Sequence, residues 1–138
     1  MVKTSDQIGF FGFYQSTFKN ASLKMEVIWH GLMLACSFDH TNVVKLLLEY
    51  AWNLNIDLNA RTRAGWTALM YACASGDPDV VKLFLDYSGP IEIDVNARTP
   101  RRYNGQTAFK IASRDGNTAV LNLLQEYSKL KNIDMSES

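Results

Sequence analysis

The sequence is poor in the residues on which most enzyme chemistry depends. It has two cysteines and two histidines among 138 residues, and none falls in a metal-ligand spacing such as Cys-x-x-Cys or His-Glu-x-x-His. Glycine-rich loops of the Walker or dinucleotide-binding type are missing, and no nucleophile stands in a recognisable motif with a base. These absences predict a protein that is not an enzyme and that has neither a cofactor nor a metal site.

Charge of one sign and long apolar runs are lacking as well. Fourteen Lys and Arg residues balance fourteen Asp and Glu residues, so no overall field attracts the protein to nucleic acid or to a membrane surface. No apolar run approaches the roughly 18 residues of a membrane span, and the N-terminus has no signal or transit pattern. We therefore expect an intracellular protein, cytoplasmic or nuclear, without a membrane span.

What the sequence does contain is an internal repeat. Residues 32–50 align with residues 69–87 at an offset of 37, with ten identities in nineteen positions. A further copy follows at an offset of 40, in which Gly105 and Thr107 match Gly65 and Thr67. Because self-similarity at a period of 20 to 50 residues is typical of repeat architectures, the sequence predicts an array of similar units.

Each unit is predicted to form two short helices. In the best-defined copy, Thr67 is suited to begin a helix over residues 68–74, and Gly76 is suited to end it in a left-handed conformation. Asp77 and Pro78 then provide the start of a second helix, along which apolar residues recur at helical spacing up to residue 87. Two helices this short cannot bury their apolar surface alone, so the units must stack on one another.

These residues resemble a known family. The second unit reads G-W-T-A-L-M-Y-A…G-D…V-V-K-L-F-L…D-V-N-A, which is similar to the ankyrin repeat pattern G-x-T-P-L-H-x-A-A-x-x-G-H…V-V-x-L-L-L…A-D-V-N-A. The resemblance covers residues 28–135 and implies an all-α ankyrin-repeat solenoid of stacked helix-turn-helix units with hairpin-like fingers. The expected divisions are an N-terminal aromatic segment (1–27), repeats at 28–61, 62–98 and 99–135, and a tail at 136–138.

The first repeat and the fingers depart from the family pattern. His30 takes the place of Thr67 as a cap-region residue, and Asp39 stands where the pattern has the turn glycine. The insertion Pro100-Arg101-Arg102 lengthens the second finger. Cys36 and Cys73 occupy equivalent positions of neighbouring repeats, which the resemblance places on the order of 10 Å apart, beyond the reach of a disulfide. Both thiols are therefore expected to stay reduced and buried.

The two ends of the array are expected to differ. Phe10, Tyr14 and Phe18 are spaced by four residues, which predicts an amphipathic helix over residues 6–19 that caps the first repeat. The alternatives are a partner-binding or a membrane-surface segment. The third repeat replaces apolar residues with Lys110 and Gln125, as a solvent-facing terminal repeat should, and residues 128–138 are expected to fray.

The resemblance also implies where a partner would bind, since ankyrin proteins contact their targets with the finger tips and the concave face. The corresponding positions are Trp29, Phe38, Arg63, Trp66, Ser75, Arg101, Arg102, Tyr103, Asn104, Gln106, Arg114 and Asp115. Trp, Tyr and Arg are the residue types that most often carry binding energy. The resemblance thus implies a monomeric protein-binding module. Arginines gather around the two fingers, which leaves two interpretations open: charges that are only solvated, or a site for an acidic or phosphorylated partner segment. The alternatives are single-stranded nucleic acid or a nucleotide, stacked on Trp66 and Tyr103, and a structural fragment of a longer array.

Overall fold

The structure, a computed structural model, describes residues 21–89 and 91–133, with side chains from Glu26 onward. Its elements are α1 (Ala21–Ser37), α2 (Thr41–Asn53), α3 (Ala68–Ser75), α4 (Pro78–Leu85), a 3₁₀ turn (Arg101–Tyr103), α5 (Ala108–Arg114) and α6 (Thr118–Lys131). No β-strand occurs in these two ranges. The predicted all-α class is confirmed. None of the helices in the described part of the chain has the length and hydropathy needed to cross a membrane.

The helices form two layers of stacked pairs. The first helices of the pairs contact one another in series, α1 with α3 and α3 with α5. The second helices do the same, α2 with α4 and α4 with α6. Between the layers lies a single apolar core, which includes Leu69 and Cys73 of α3 and Val80 and Phe84 of α4. Each pair thus completes its core with its neighbours, as predicted for a solenoid.

The second repeat begins and ends its helices at the predicted residues. The Thr67 hydroxyl accepts a hydrogen bond from the Met70 amide at 3.3 Å, and Gly76 ends α3 with a positive φ of 79°. The Asp77 carboxylate then accepts from the Asp79 amide at 3.0 Å at the start of α4. These short side chains satisfy amide groups that the first turn of a helix leaves without partners.

The first repeat departs from the prediction. Helix α1 covers Ala21–Ser37, so His30 lies in the middle of a helix and its expected role near a cap is wrong. No proline or glycine interrupts residues 21–30, and the helix therefore continues through the place where the other repeats have a finger. The turn that follows α1 does form without glycine, because Asp39 adopts the left-handed conformation with φ of 58°, which short polar side chains tolerate.

The last helix is longer than expected. Helix α6 runs to Lys131 and ends at Asn132, which is left-handed. The predicted fraying from Ser128 is therefore wrong for residues 128–131. The predicted capping helix over residues 6–19 and the tail at 136–138 lie outside the described residues. Cys36 and Cys73 are buried free thiols, as expected from their equivalent places in neighbouring repeats.

Candidate functional site

The first finger is a tight loop between α2 and α3. Its two sides meet where the Thr62 amide donates to the Trp66 carbonyl at 2.9 Å, and the Trp66 amide donates to the Thr62 hydroxyl at 3.1 Å. Gly65 closes the tip with a φ of 84°, and its amide donates to the Thr62 carbonyl at 2.9 Å. The tip is therefore held by three hydrogen bonds centred on Thr62.

The second finger repeats this arrangement around Thr99, with an insertion at its tip. The Thr99 amide donates to the Gln106 carbonyl at 2.9 Å, and the Gln106 amide donates to the Thr99 hydroxyl at 2.7 Å. The inserted residues form the 3₁₀ turn, in which the Tyr103 and Gly105 amides both donate to the Pro100 carbonyl, at 2.8 and 3.1 Å. The lengthened tip is thus a folded turn with its own hydrogen bonds.

The two fingers are in direct contact. A Cβ atom placed on Gly65 would lie 2.4 Å from Pro100 Cδ and 3.3 Å from Thr99 Cα, so the first tip rests against the base of the second. The Arg61 guanidinium donates to the Arg98 carbonyl, and the Arg98 guanidinium donates to the Gly105 carbonyl at 3.3 Å. These two arginines therefore join the fingers to each other and brace the second one.

The links that lead into the fingers are joined as well. Asn59 Nδ2 donates to the Glu92 carbonyl at 2.8 Å, and Asn59 Oδ1 accepts from the Asp94 amide at 2.8 Å. The Asp57 and Asp94 carboxylates each accept from the amide two residues later, at 2.9 Å and 3.0 Å. One asparagine side chain thus satisfies a donor and an acceptor of the neighbouring repeat, which fixes the spacing of the two links.

The fingers carry a local positive charge in a protein whose overall charge is zero. Residues 58–76 and 95–114 contain no Asp or Glu, and together they hold seven of the fourteen basic residues, two in the first stretch and five in the second. Each stretch comprises a finger and the first helix that follows it. Positive charge is therefore concentrated on the side of the protein formed by the fingers and the first helices.

Three arginines at the tips are free to face a partner. Arg63, Arg101 and Arg102, which we name the basic tip, are exposed, and within the described ranges the ion pairs are formed by other residues. The Arg102 guanidinium carbon lies 5.1 Å from the centre of the Tyr103 ring. Tyr103 is itself 44% exposed, and Asn104 beside it is exposed and left-handed, with φ of 75°. The expected binding role of these residues stays a prediction.

Other predicted contact residues lie closer to the body of the protein. Trp66 is half-buried, and its ring centre lies 5.0 Å from that of Tyr71 at an angle of 49°. Gln106 and Ser75 are also half-buried, and the Ser75 hydroxyl donates to the Ala72 carbonyl at 2.8 Å. These three side chains border the basic tip and the first helices without projecting from them.

Arg114 and Asp115 lie at the C-terminal end of the first helix of the third repeat. Arg114 is the last residue of α5, and Asp115 follows it as the C-cap. The Arg114 Nε atom lies 3.5 Å from Asp115 Oδ1, so the two charges partly offset each other. Both are exposed, yet this pairing makes them a weaker attractor for an anionic partner than the basic tip.

The prediction for Trp29 is corrected, because this residue is only 7% exposed. The continuous helix α1 places Trp29, Leu32 and Cys36 on one stripe with spacings of three and four, and all three are buried. Phe38 is exposed, but its amide donates to the Leu34 carbonyl at 3.1 Å. This bond continues the helical register, so Phe38 lies beside Leu34 on the outer side of the first pair, apart from the fingers.

That outer side carries apolar residues that the prediction missed. Leu34, Val43, Leu46 and Tyr50 are all at least 39% exposed, and with Phe38 they form a surface that we name the end face. The recurrence of Val, Leu and Tyr at these places in every second helix was the signal that could have found it. None of the described residues covers these side chains, although they are of the types that the later repeats bury at the same places.

The described residues hold no cluster suited to metal binding, and their two thiols are buried. Within them, no cluster of three or more His, Cys, Asp or Glu side chains could hold a metal ion. Burial raises the pKa of Cys36 to about 12, with a further contribution from the nearby Asp39. Burial likewise raises the pKa of Cys73 to about 12. Both thiols are thus protonated at neutral pH, which makes them poor nucleophiles.

Comparison with known proteins agrees with this architecture. No curated protein matches the chain significantly. A chain in the solved structure of the Bd0816 predatory endopeptidase from Bdellovibrio bacteriovorus in complex with immunity protein Bd3460 is similar, at 27% identity and a TM-score of 0.59. The similarity covers 70% of this chain and 45% of that chain, so this chain spans a little under half the length of its neighbour.

A family model gives the assignment. The model for ankyrin repeats in three copies matches residues 19–99, which is more than half of the chain. Ankyrin repeats are protein–protein interaction modules, and the family is typically not enzymatic. With stacked helical pairs, contacting fingers and this match in agreement, the chain belongs to the ankyrin-repeat family.

Proposed function

We propose that this protein is a non-enzymatic module that binds an acidic or phosphorylated segment of another protein. The basic tip is the centre of the proposed site, and Tyr103, Asn104 and the concave face formed by the first helices adjoin it. The observation that supports this most is the exposure of three arginines on two fingers that contain no acidic residue. Because the fingers contain no negative charge of their own, a partner with acidic or phosphorylated residues would pair with these arginines.

Arginine suits this role because of its shape. The planar guanidinium can donate two parallel hydrogen bonds to one carboxylate or phosphate group, and such charge-assisted bonds are stronger than neutral ones. In the second finger, the 3₁₀ turn holds Arg101 and Arg102 on a backbone fixed by the Pro100 carbonyl. A site that is already ordered loses less conformational entropy when the partner binds.

The structural neighbour is consistent with binding to protein, since it comes from a complex of an endopeptidase with an immunity protein. We extend to this chain only the general role, namely the tethering or blocking of another protein. We further propose that the module acts as a monomer inside the cell, in the cytoplasm or nucleus, where its buried thiols remain reduced. It requires no cofactor in this role.

Single-stranded nucleic acid is the competing ligand, and the position of Trp66 makes it less favoured. Base stacking requires an accessible ring face, whereas the Trp66 ring is half-buried and lies 5.0 Å from Tyr71. Only Tyr103 is left as an exposed ring at the tips. Nucleic acid therefore enters the test below as an outcome that would contradict the proposal.

The test compares two triple variants in a capture experiment. In the first, Arg63, Arg101 and Arg102 are changed to Ala. In the control, the exposed Lys45, Lys82 and Lys129 of the second helices are changed to Ala, which removes the same charge from another surface. Lysate from the source cells is treated with nuclease, and proteins bound to each immobilised variant are identified by mass spectrometry after circular dichroism confirms folding.

We expect wild type and the lysine variant to retain the same partner, and the arginine variant to lose it. Soluble poly-glutamate should compete for the wild-type protein, since it imitates an acidic segment. Equal retention by both variants would contradict the proposed site. Capture from a second, untreated portion of the lysate that is lost after nuclease treatment would instead support nucleic acid as the ligand.

A further inference from the structure

The end face exposes more apolar surface than a folded end of the array should. Leu34 and Phe38 on the first helix are 60% and 67% exposed, and Val43, Leu46 and Tyr50 on the second are 44%, 55% and 39% exposed. Within this cluster lie five large apolar side chains on one helical pair. Contiguous exposed apolar surface of this kind marks an interaction site.

The end face points away from the rest of the array. On α2, Val44, Leu48 and Ala51 are buried, and α2 contacts α4 of the next repeat. Leu46 and Tyr50 lie roughly on the other side of the helix, at 100° per residue. On α1, Leu34 is likewise opposite the buried Leu32 and Cys36. The exposed residues of both helices thus face the N-terminal end.

Equivalent positions in the later repeats are buried or partly buried. Val43 corresponds to Val80 and Val120 at offsets of 37 and 40, and both of these are 0% exposed. Leu46 corresponds to Leu83 and Leu123, which pack against the core as partly buried residues.

The third position of the stripe behaves in the same way. Tyr50 corresponds to Tyr87 and Tyr127, which also pack against the core. The same residue types at the same places are therefore covered wherever a repeat precedes them. It follows that the end face has the residue types that the later repeats cover, and it is therefore suited to be covered itself.

We propose that residues 6–19 of this chain cover the end face as an amphipathic helix that runs antiparallel to α1. Phe10, Tyr14 and Phe18 recur every four residues and would form its apolar stripe. The family match begins at residue 19, so this segment is an addition to the repeats. A repeat would cover the end face with two helices, whereas this segment would cover it with one helix that carries aromatic residues.

The length of the segment fits the surface. At 1.5 Å per residue, a helix of residues 6–19 would be about 21 Å long, and the distance along α1 from Ala21 to Leu34 is about 20 Å. An antiparallel helix that turned back before Ala21 would therefore bring Phe18 near the start of α1 and Phe10 about 14 Å along it, while the first residues of the segment would reach the level of Leu34. Such a helical hairpin needs a connection of about two to five residues, for which the last residue of the segment and Asn20 would serve.

Direct attachment favours this segment over a second copy of the protein. A tethered segment meets the end face at an effective concentration in the millimolar range, whereas a second copy must bind at the concentration of the free protein. Aromatic side chains from the segment would also match the apolar end face in character. The cover is therefore intramolecular.

The first test is photocrosslinking in the full chain. Tyr14 is replaced by p-benzoylphenylalanine, which inserts into nearby C–H bonds upon irradiation, and the products are separated by size and mapped by mass spectrometry. We expect a monomeric product joined to residues 27–50. A crosslinked dimer, a product joined to the fingers, or no product would each overturn the proposal.

The second test asks whether the two surfaces stabilise each other. Tyr14→Ser and Leu46→Asp are combined in a double-mutant cycle read by thermal unfolding, with Leu130→Asp in place of Leu46→Asp as the control. Leu46 and Leu130 are both exposed, at 55% and 86%, so neither change disrupts the described core. We expect each single variant of the first cycle to lower Tm by several degrees and the double variant to lower it little further. Additive shifts in the first cycle, equal to those in the control, would overturn the proposal.

Discussion

The contact between the two fingers can be tested with one added methyl group. Gly65 has a φ of 84°, and a Cβ atom there would lie 2.4 Å from Pro100 Cδ. Gly116 has a similar φ of 71°, yet a Cβ atom there would meet nothing within 4 Å. The substitutions Gly65→Ala and Gly116→Ala therefore share the cost of a left-handed backbone, and only the first adds a steric clash.

The expected magnitudes follow from these two contributions. A left-handed conformation costs a residue with a side chain about 1–2 kcal/mol, and overpacking costs about 1–3 kcal/mol. We expect Gly116→Ala to lower the free energy of unfolding by about 1–2 kcal/mol and Gly65→Ala to lower it by about 2–5 kcal/mol. In a Pro100→Ala background, which removes the Cδ and Cγ atoms, Gly65→Ala should cost about as much as Gly116→Ala.

The assay is urea unfolding followed by far-ultraviolet circular dichroism, with all variants compared at one temperature. Equal losses for Gly65→Ala and Gly116→Ala would refute the reasoning, since the fingers would then not touch. Strict additivity of Gly65→Ala and Pro100→Ala would refute it as well, because the clash assigned to Pro100 would be absent.

Three further predictions concern the links, the caps and the thiols. Asn59→Ala should lower the free energy of unfolding by about 1–3 kcal/mol because it removes two hydrogen bonds between repeats, each worth about 0.5–1.5 kcal/mol; the exposed Asn122→Ala in α6 is the control, and equal effects in urea unfolding would contradict the role of the bridge. Thr67→Val should cost about 1 kcal/mol through loss of the bond from the Met70 amide, measured in the same assay, and an unchanged midpoint would argue against the cap. Folded Cys36 and Cys73 should react with Ellman's reagent at pH 9 on the order of a hundredfold more slowly than in urea. Since burial raises their pKa from 9.0 to about 12, the folded state holds protons that the unfolded state loses, so stability should fall as pH rises from 9 towards 12; constant stability there would contradict it.

The helix boundaries of the second repeat were predictable because each depends on residues that are close together in the sequence. Thr67, Gly76 and Asp77 each act through their own backbone conformation or through an amide two or three residues away. Such contacts need no knowledge of distant residues. The buried cysteines were predictable for a related reason, since equivalent residues of stacked repeats keep a fixed separation.

The first repeat was predicted less well because its helix boundaries were assigned by alignment with the later repeats. Alignment with Thr67 suggested a cap at His30, while the absence of a helix breaker between Ala21 and His30 decided otherwise. The same helix buries Trp29. At Asp39 the pattern lacked its glycine, and the side chain of aspartate still allowed the left-handed turn.

The sequence locates the arginines near the fingers, but it does not indicate which of them hold the fingers together and which are exposed. Six arginines near the fingers look alike in the sequence. Only the tertiary contacts show that Arg61 and Arg98 donate to backbone carbonyls, whereas Arg63, Arg101 and Arg102 are exposed without such a task. The contact of Arg61 with Arg98 joins residues 37 positions apart, and no local pattern encodes it.

This division has a consequence for how the protein can change over evolutionary time. The bonds that join the fingers end on main-chain carbonyls, which every residue type provides, and the arginines that make them lie outside the basic tip. If the basic tip binds the partner as proposed, substitutions at Arg63, Arg101 or Arg102 can therefore alter partner preference with little cost in folding stability. A lineage could exchange one partner for another through the tips alone, while the positions that set the spacing of the repeats stay unchanged.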